Sequence, residues 1–189
     1  MTSQGQEARD PGHQGTGPGW RAYLRFGAMI ATATIVMYVL TYTNVFALEH
    51  IRFSEERVYM VILMGSAMAI IMLGYMRGMY EDTRVNVAIV IVALIIGAAA
   101  FLLSQSQLLV GDVNYMRGMI PHHSIAILTS ERAGIEDVRV RELADEIIEA
   151  QRREIAEMDW LIGDIEANGR ATTEAEAAER PVPSFGASP

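Results

Sequence analysis

Three apolar runs constrain this chain more than any other feature: Leu24 to Phe46, Val58 to Met76 and Val85 to Leu103. The second and third contain no charged residue, and the first contains only Arg25, beside its start. Each is about 19 to 23 residues long, which is what a helix needs to cross a hydrocarbon core. Inside a bilayer every backbone amide must find its partner within the segment, so such runs fold as helices. The pattern predicts a three-span membrane anchor over residues 21–104, behind a polar N-terminal segment, 1–20, expected to be disordered. No short apolar core with a small-residue cleavage site precedes the first run, so it reads as a retained signal-anchor.

Charge divides the chain in the same place. Residues 1–111 hold 7 acidic and 7 basic side chains, and residues 112–189 hold 16 acidic and 8 basic, so the whole formal charge of −8 belongs to the C-terminal part. An acidic segment excludes nucleic acid and anionic lipid as partners for that part, since both demand a basic patch. Every basic residue is arginine. Arg9, Arg21, Arg25, Arg77 and Arg84 outnumber Arg52, Arg57 and Arg117 on the alternate flanks, which predicts a cytoplasmic N-terminus. Three spans then place the C-terminal domain in the periplasm, on an inner (cytoplasmic) membrane protein.

Residues 105–169 are predicted to form a helical hairpin. Asp112 or Asn114 is a candidate cap for a helix running to about Arg132, and Asp137 caps a second. Val140, Leu143, Ala144, Ile147, Ile148, Ile155, Met158, Leu161, Ile162 and Ile165 recur at threes and fours, the mark of an amphipathic helix. The tail, 170–189, is rich in Ala, Thr, Glu, Pro, Ser and Gly and is expected to be disordered. A hairpin this small buries little by itself. It is expected to self-associate into a four-helix bundle or to dock against the spans.

The sequence YMRGM occurs twice, at Tyr75–Met79 and Tyr115–Met119, and only the second copy continues into Pro121, His122 and His123. At about 100° per residue, Met116 and His123 project within about 20° of each other, Met119 lies about 60° away, and His122 about 120°. Pro121 frees the carbonyl of residue 117 and is expected to kink the helix, which would swing His122 inward. On the second helix Gln151, Glu154 and Met158 share a neighbouring strip. With no cysteine in the chain, soft-metal chemistry rests on thioether and imidazole, a donor set that favours Cu(I) over Mg²⁺, Ca²⁺ or Mn²⁺. Against this stands the plainer fact that methionines at helical spacing more often fill cores than hold ions.

Other features carry less. Met60, Met64, Met68, Met72, Met76 and Met79 mark the second span, but each four-residue step rotates about 40°, so the row winds around the helix instead of lining a path. His50 would share a side with the histidine pair. Enzyme signatures are missing: there is no H-E-x-x-H, no G-x-S-x-G, no phosphate-binding glycine loop and no Glu-x-x-His pair. A non-enzymatic role is expected.

The segments MRGMIPHHSIAI and EIIEAQRREIAEMDWL resemble the domain-of-unknown-function 305 family, whose CopM-like members are copper proteins with a ferritin-like helical bundle. The family's Met-x-x-Met-x-x-His-His and Gln-x-x-Glu-Ile-x-x-Met fall on Met116, Met119, His122, His123, Gln151, Glu154, Ile155 and Met158. The three preceding spans resemble a membrane-anchored subgroup. The resemblance implies an all-α protein, three transmembrane helices followed by an external hairpin of ferritin-like, four-helix-bundle type. Met116, Met119, His123 and Met158 are then expected to ligate copper, with His122 an alternative ligand and Gln151 and Glu154 orienting the imidazole. The expected partners are the bilayer, a second copy, or a metal donor or acceptor protein. The rival expectation is a non-metal interaction or dimerisation module.

Overall fold

The structure, a computed structural model, describes residues 19–186. The polar segment before residue 19 and the last three residues lie outside it. Among the described residues the chain is all-helical: α1 Trp20–Leu40, α2 Glu55–Tyr75, α3 Thr83–Ser106, α4 Asp112–Arg132, α5 Val138–Asn168 and α6 Glu174–Glu179. The first three are long and apolar enough to cross a membrane. They pack in chain order, α1 on α2 and α2 on α3, so successive helices reverse direction.

Small residues set how closely these helices approach. A Cβ added at Gly65 would lie 2.6 Å from Thr34 Oγ1 of α1, and one at Gly97 would lie 3.2 Å from the Ser66 Cβ. Apolar side chains gain nothing from leaving lipid for one another, so close backbone approach of this kind supplies the contact energy between such helices. The methionine row of α2 winds as its spacing predicts. Met60 and Met64 face outward, while Met72 and Met76 pack against a buried cluster of Phe26, Ala69, Leu73, Tyr80 and Ala93.

The first helix stops at Leu40, six residues short of the apolar run that predicted it. Thr41 Oγ1 donates to the Tyr38 carbonyl and Thr43 Oγ1 to that of Leu40, the local bonds by which threonines compete with helix. Beyond them Phe46 turns away: its amide donates to Ser124 Oγ of α4 at 2.7 Å. The apolar residues Val45 and Phe46 therefore belong to a strap, residues 41–54, that crosses to the hairpin. Arg57 fastens its start by donating to the Thr41 carbonyl at 2.5 Å.

α3 begins where Asp82 accepts from the amides of Arg84 and Val85. It ends at Gln107, whose left-handed backbone (φ 51°) turns the chain into the hairpin. Ser104 Oγ and Gln107 Nε2 donate to the two oxygens of Glu56, which ties this end of α3 to the start of α2. α4 is preceded by Gly111, with no side-chain cap. Neither Asp112 nor Asn114 caps it as expected, because both already lie inside the helix, where Asp112 in the first turn complements the dipole. α5 is capped by Asp137, through the Arg139 amide.

The hairpin core consists of Met116, Ile120, Ile127, Ile155 and Ile162, with Phe46 of the strap packed against it. The hairpin thus docks on the loop joining α1 to α2. Arg52 pairs with Asp159 at 3.3 Å, and a Cβ on Gly118 would lie 3.3 Å from Ser54 Oγ, just before α2. α4 is a continuous helix through buried Pro121. Within the segment after Gly169, Glu174–Glu179 form α6, opened by a capping box between Thr173 and Glu176. Arg180 fastens it back to Asp164 at 2.7 Å.

Candidate metal centre

α4 turns its candidate residues to two different sides. Met116 and His123 are buried, Met119 is half-buried and His122 is exposed. The helical repeat accounts for the sorting: residues 116, 120, 123 and 127 follow the seam against α5, and residue 122 falls outside it. Pro121 does not swing His122 inward, because the helix continues through it.

His123 engages both its ring nitrogens. Nδ1 lies 2.9 Å from the Met119 carbonyl oxygen, and Nε2 lies 2.7 Å from Glu154 Oε2 on α5. A carbonyl only accepts, so Nδ1 carries a proton and the ring's tautomer is fixed. Nε2 then faces a carboxylate. At 2.7 Å a proton lies between Nε2 and Glu154 Oε2, since two bare acceptors would repel, and Nε2 presents a lone pair to a metal only where that proton is displaced. An imidazole whose Nδ1–H is held by a carbonyl is the arrangement in which the other nitrogen ligates metals.

The remaining residues distribute around this contact. Met116 and Met158 belong to the apolar cluster of the hairpin core. Gln151 is half-buried and makes no side-chain hydrogen bond among the described residues. Met119 and His122 line a separate cleft of about 280 Å³, opposed by Ser54, Glu55 and Gln107 near the ends of α2 and α3. The rings of His122 and His123 stand 6.2 Å apart at 65°.

Ser124 is a buried residue beside the site that sequence reasoning missed. It is fully buried, accepts the Phe46 amide proton, and lies 2.9 Å from His50 Nδ1. While its oxygen accepts from Phe46, the hydroxyl still has a proton to donate to an unprotonated His50 Nδ1. Burial lowers the pKa of His50, with Arg52 adding to the effect and Glu49 and Asp159 opposing it. The lowered pKa favours the neutral ring at pH 7, the state in which Nδ1 can accept from Ser124. The signal was available: a serine four residues after Ile120 and three before Ile127 must face the same seam.

The donor set fits a soft ion in its chemistry. Among the described residues no three of His, Asp or Glu converge closely enough to hold a metal. Any ion here depends on thioethers: Met116 and Met158 lie in the core between the facing helices, and Met119 lines the cleft with His122. Hard oxygen-seeking cations have no cage in this region.

Comparison with known proteins gives two findings. Residues 112–184 match the family described as "Domain of unknown function (DUF305)". An uncharacterized protein of Acanthamoeba polyphaga mimivirus is 32% identical over 138 residues, which is 71% of this chain and 89% of that protein. No solved structure matches the chain.

Proposed function

The chain belongs to the domain-of-unknown-function 305 family, and from that premise we propose that it binds metal at a membrane surface, handling copper through the methionine and histidine face of its hairpin. The observation that carries this reading is the His123 ring. Its Nδ1–H is spent on the Met119 carbonyl, so Nε2 has a lone pair to offer once its proton leaves. Met116, Met119 and Met158 supply soft thioethers, and His122 is an alternative ligand from the cleft side. Glu154 and Gln151 orient the imidazole, and Glu154 gives up its contact with Nε2 when the ring ligates. Bound copper would supply a transferable ion and no bond-making chemistry, so the role is sequestration or delivery to a partner protein, not catalysis.

The arginine bias supports an inner-membrane placement with the N-terminus cytoplasmic and the hairpin periplasmic. Cu(I) titration of the full chain in detergent, against a competing chromogenic chelator, tests the site. Tight one-site binding is expected, lost in His122→Ala/His123→Ala. Unchanged affinity in that variant sinks the assignment.

A second reading draws on the closed His123–Glu154 pair, which satisfies both side chains without any ion. Under it the hairpin is an interaction or dimerisation module. Chelators then leave its assembly untouched, and Glu154→Gln weakens it.

A further inference from the structure

We propose that the N-terminal part of α5 is the surface by which two copies of this chain associate, antiparallel about a two-fold axis at Leu143. The proposal rests on the dimerisation reading above, names the surface for it, and needs nothing of the copper reading.

α5 carries a second apolar line beside the seam that it packs on α4. Val140, Leu143 and Ile147 project within about 60° of one another, and Ala144, which is buried in the hairpin, lies to one side of them. Val140 is 48% exposed, Leu143 55% exposed and Ile147 half-buried. Further along α5 the same line is taken up within the chain: Glu154 on it meets His123, and Asp164 beside it meets Arg180 of the tail. Only near the start of α5 is it left open.

The charge beside this line commits it to a second copy. Arg139 and Glu146 project within about 20° of each other along one flank. When two identical helices meet antiparallel through one face, each flank lies against its own counterpart. A half-turn about Leu143 therefore sets Arg139 against Glu146 of the second copy and Glu146 against its Arg139, with Val140 on Ile147 and Leu143 on Leu143. Opposite charges at matched distances from the axis satisfy themselves, as an isologous contact demands. Glu146 makes no ion pair among the described residues. Arg139 holds Asp137 through Nε and Nη2, and its Nη1 has no acceptor among them. From Asn114 to Ile125, α4 lines one cleft with the ends of α2 and α3, so the hairpin lies across the anchor, and α5 with it. Two copies in one bilayer can then bring the α5 helices antiparallel by a half-turn about the membrane normal. About three turns of helix bury less than the ~1,000 Å² that a lasting interface between free proteins needs, so the contact works between copies that a shared membrane holds at raised local concentration.

The chain contains no cysteine, so Leu143→Cys carries a single thiol. The test is cross-linking of the full chain in phosphatidylcholine vesicles with a short bismaleimide. Leu143→Cys should give a covalent dimer in several-fold higher yield than Val138→Cys, which is equally accessible but lies on the opposite side of α5. Added to Leu143→Cys, either Arg139→Glu or Glu146→Arg should lower the yield, because like charges then meet across the axis. The two together should restore it. Equal yields at positions 138 and 143, or a charge exchange that does not restore the yield, overturn this surface. If a dimer is still seen by native mass spectrometry in that case, the dimerisation reading survives without it. A chain that is monomeric there and does not cross-link at either position ends both.

Discussion

In Tyr75–Met79 the sequence YMRGM unwinds: α2 ends at Tyr75, Met76 closes it, and Arg77–Met79 form a single 3-10 turn. In Tyr115–Met119 the same five residues lie inside α4. Met116 is 6% exposed in the hairpin core, Arg117 pairs with Glu166 at 2.6 Å, and Gly118 abuts Ser54. Of the first copy, Tyr75 is 89% exposed and Gly78 has open space around it. Because α2 reverses α1 and α3 reverses α2, the copies sit at opposite ends of the anchor. The difference teaches that the pentapeptide has no structure of its own. After the first copy, Tyr80 must turn back to reach Phe26, with rings 5.4 Å apart, and Asp82 starts a new helix. After the second, Ile120 and Ile127 continue a seam that the helix must follow.

The sharpest way to break this comparison is to truncate the paired methionines. Met116→Ala should cost about 2–5 kcal/mol, the usual range for a buried methionine. Met76→Ala, on a half-buried side chain at a helix end, should cost distinctly less. Chemical unfolding of the full chain in detergent measures both, and equal losses would show that the two sites are equally packed.

The next largest effect belongs to Ser124, on the turn of α4 beyond the second copy. Ser124→Ala leaves the Phe46 amide without its partner, a loss of about 1–3 kcal/mol, read as faster hydrogen exchange across residues 43–50. The strap should also loosen with acid. The folded-state pKa of His50 is lowered, so the unfolded chain binds its proton more readily. The contribution is full above the unfolded value and is lost as pH falls through the folded one. Glu49, Asp159 and Arg52 face the same ring and set where that occurs. A strap whose exchange is flat from pH 7 to 5 refutes the assignment of Ser124 as donor to His50.

Smaller effects sharpen the contrast further. Gly118→Val forces a Cβ against Ser54 Oγ at 3.3 Å and should cost about 1–3 kcal/mol as overpacking, whereas Gly78→Val meets nothing. Smallest of all, Arg117→Ala removes an exposed ion pair worth about 0–1 kcal/mol, and Arg77→Ala removes none. If Gly78→Val proves the costlier glycine change, the packing account of the repeat fails.

Much of the fold is legible in the sequence because its signals are periodic. α5 can be read nearly end to end, since ten apolar positions at threes and fours leave one solution, and Asp137 marks its start. The same rotation places His123 on the buried face and His122 off it. The features that escape such a reading depend on contacts distant in sequence. Phe46 extends an apolar run, and nothing local says that its amide will find a serine 78 residues later. Glu154 is set beside the imidazole by the family motif and not by the helical repeat, because its pairing with His123 depends on the register of two helices, which a wheel drawn for each alone does not supply. α6 is hidden by its composition, because six residues of Glu and Ala look like a tail until Arg180 reaches Asp164.

The strap has a consequence best put as effective concentration. The hairpin already hangs from α3 by the short link 107–111, so the strap never has to find it from solution. Contacts between such tethered parts form as if each partner were present at about millimolar concentration. Two hydrogen bonds and one exposed ion pair, too weak to hold separate proteins together, are enough to turn that single hanger into a bracket. The face carrying Met119 and His122 is thereby held at a set height and angle against the ends of α2 and α3.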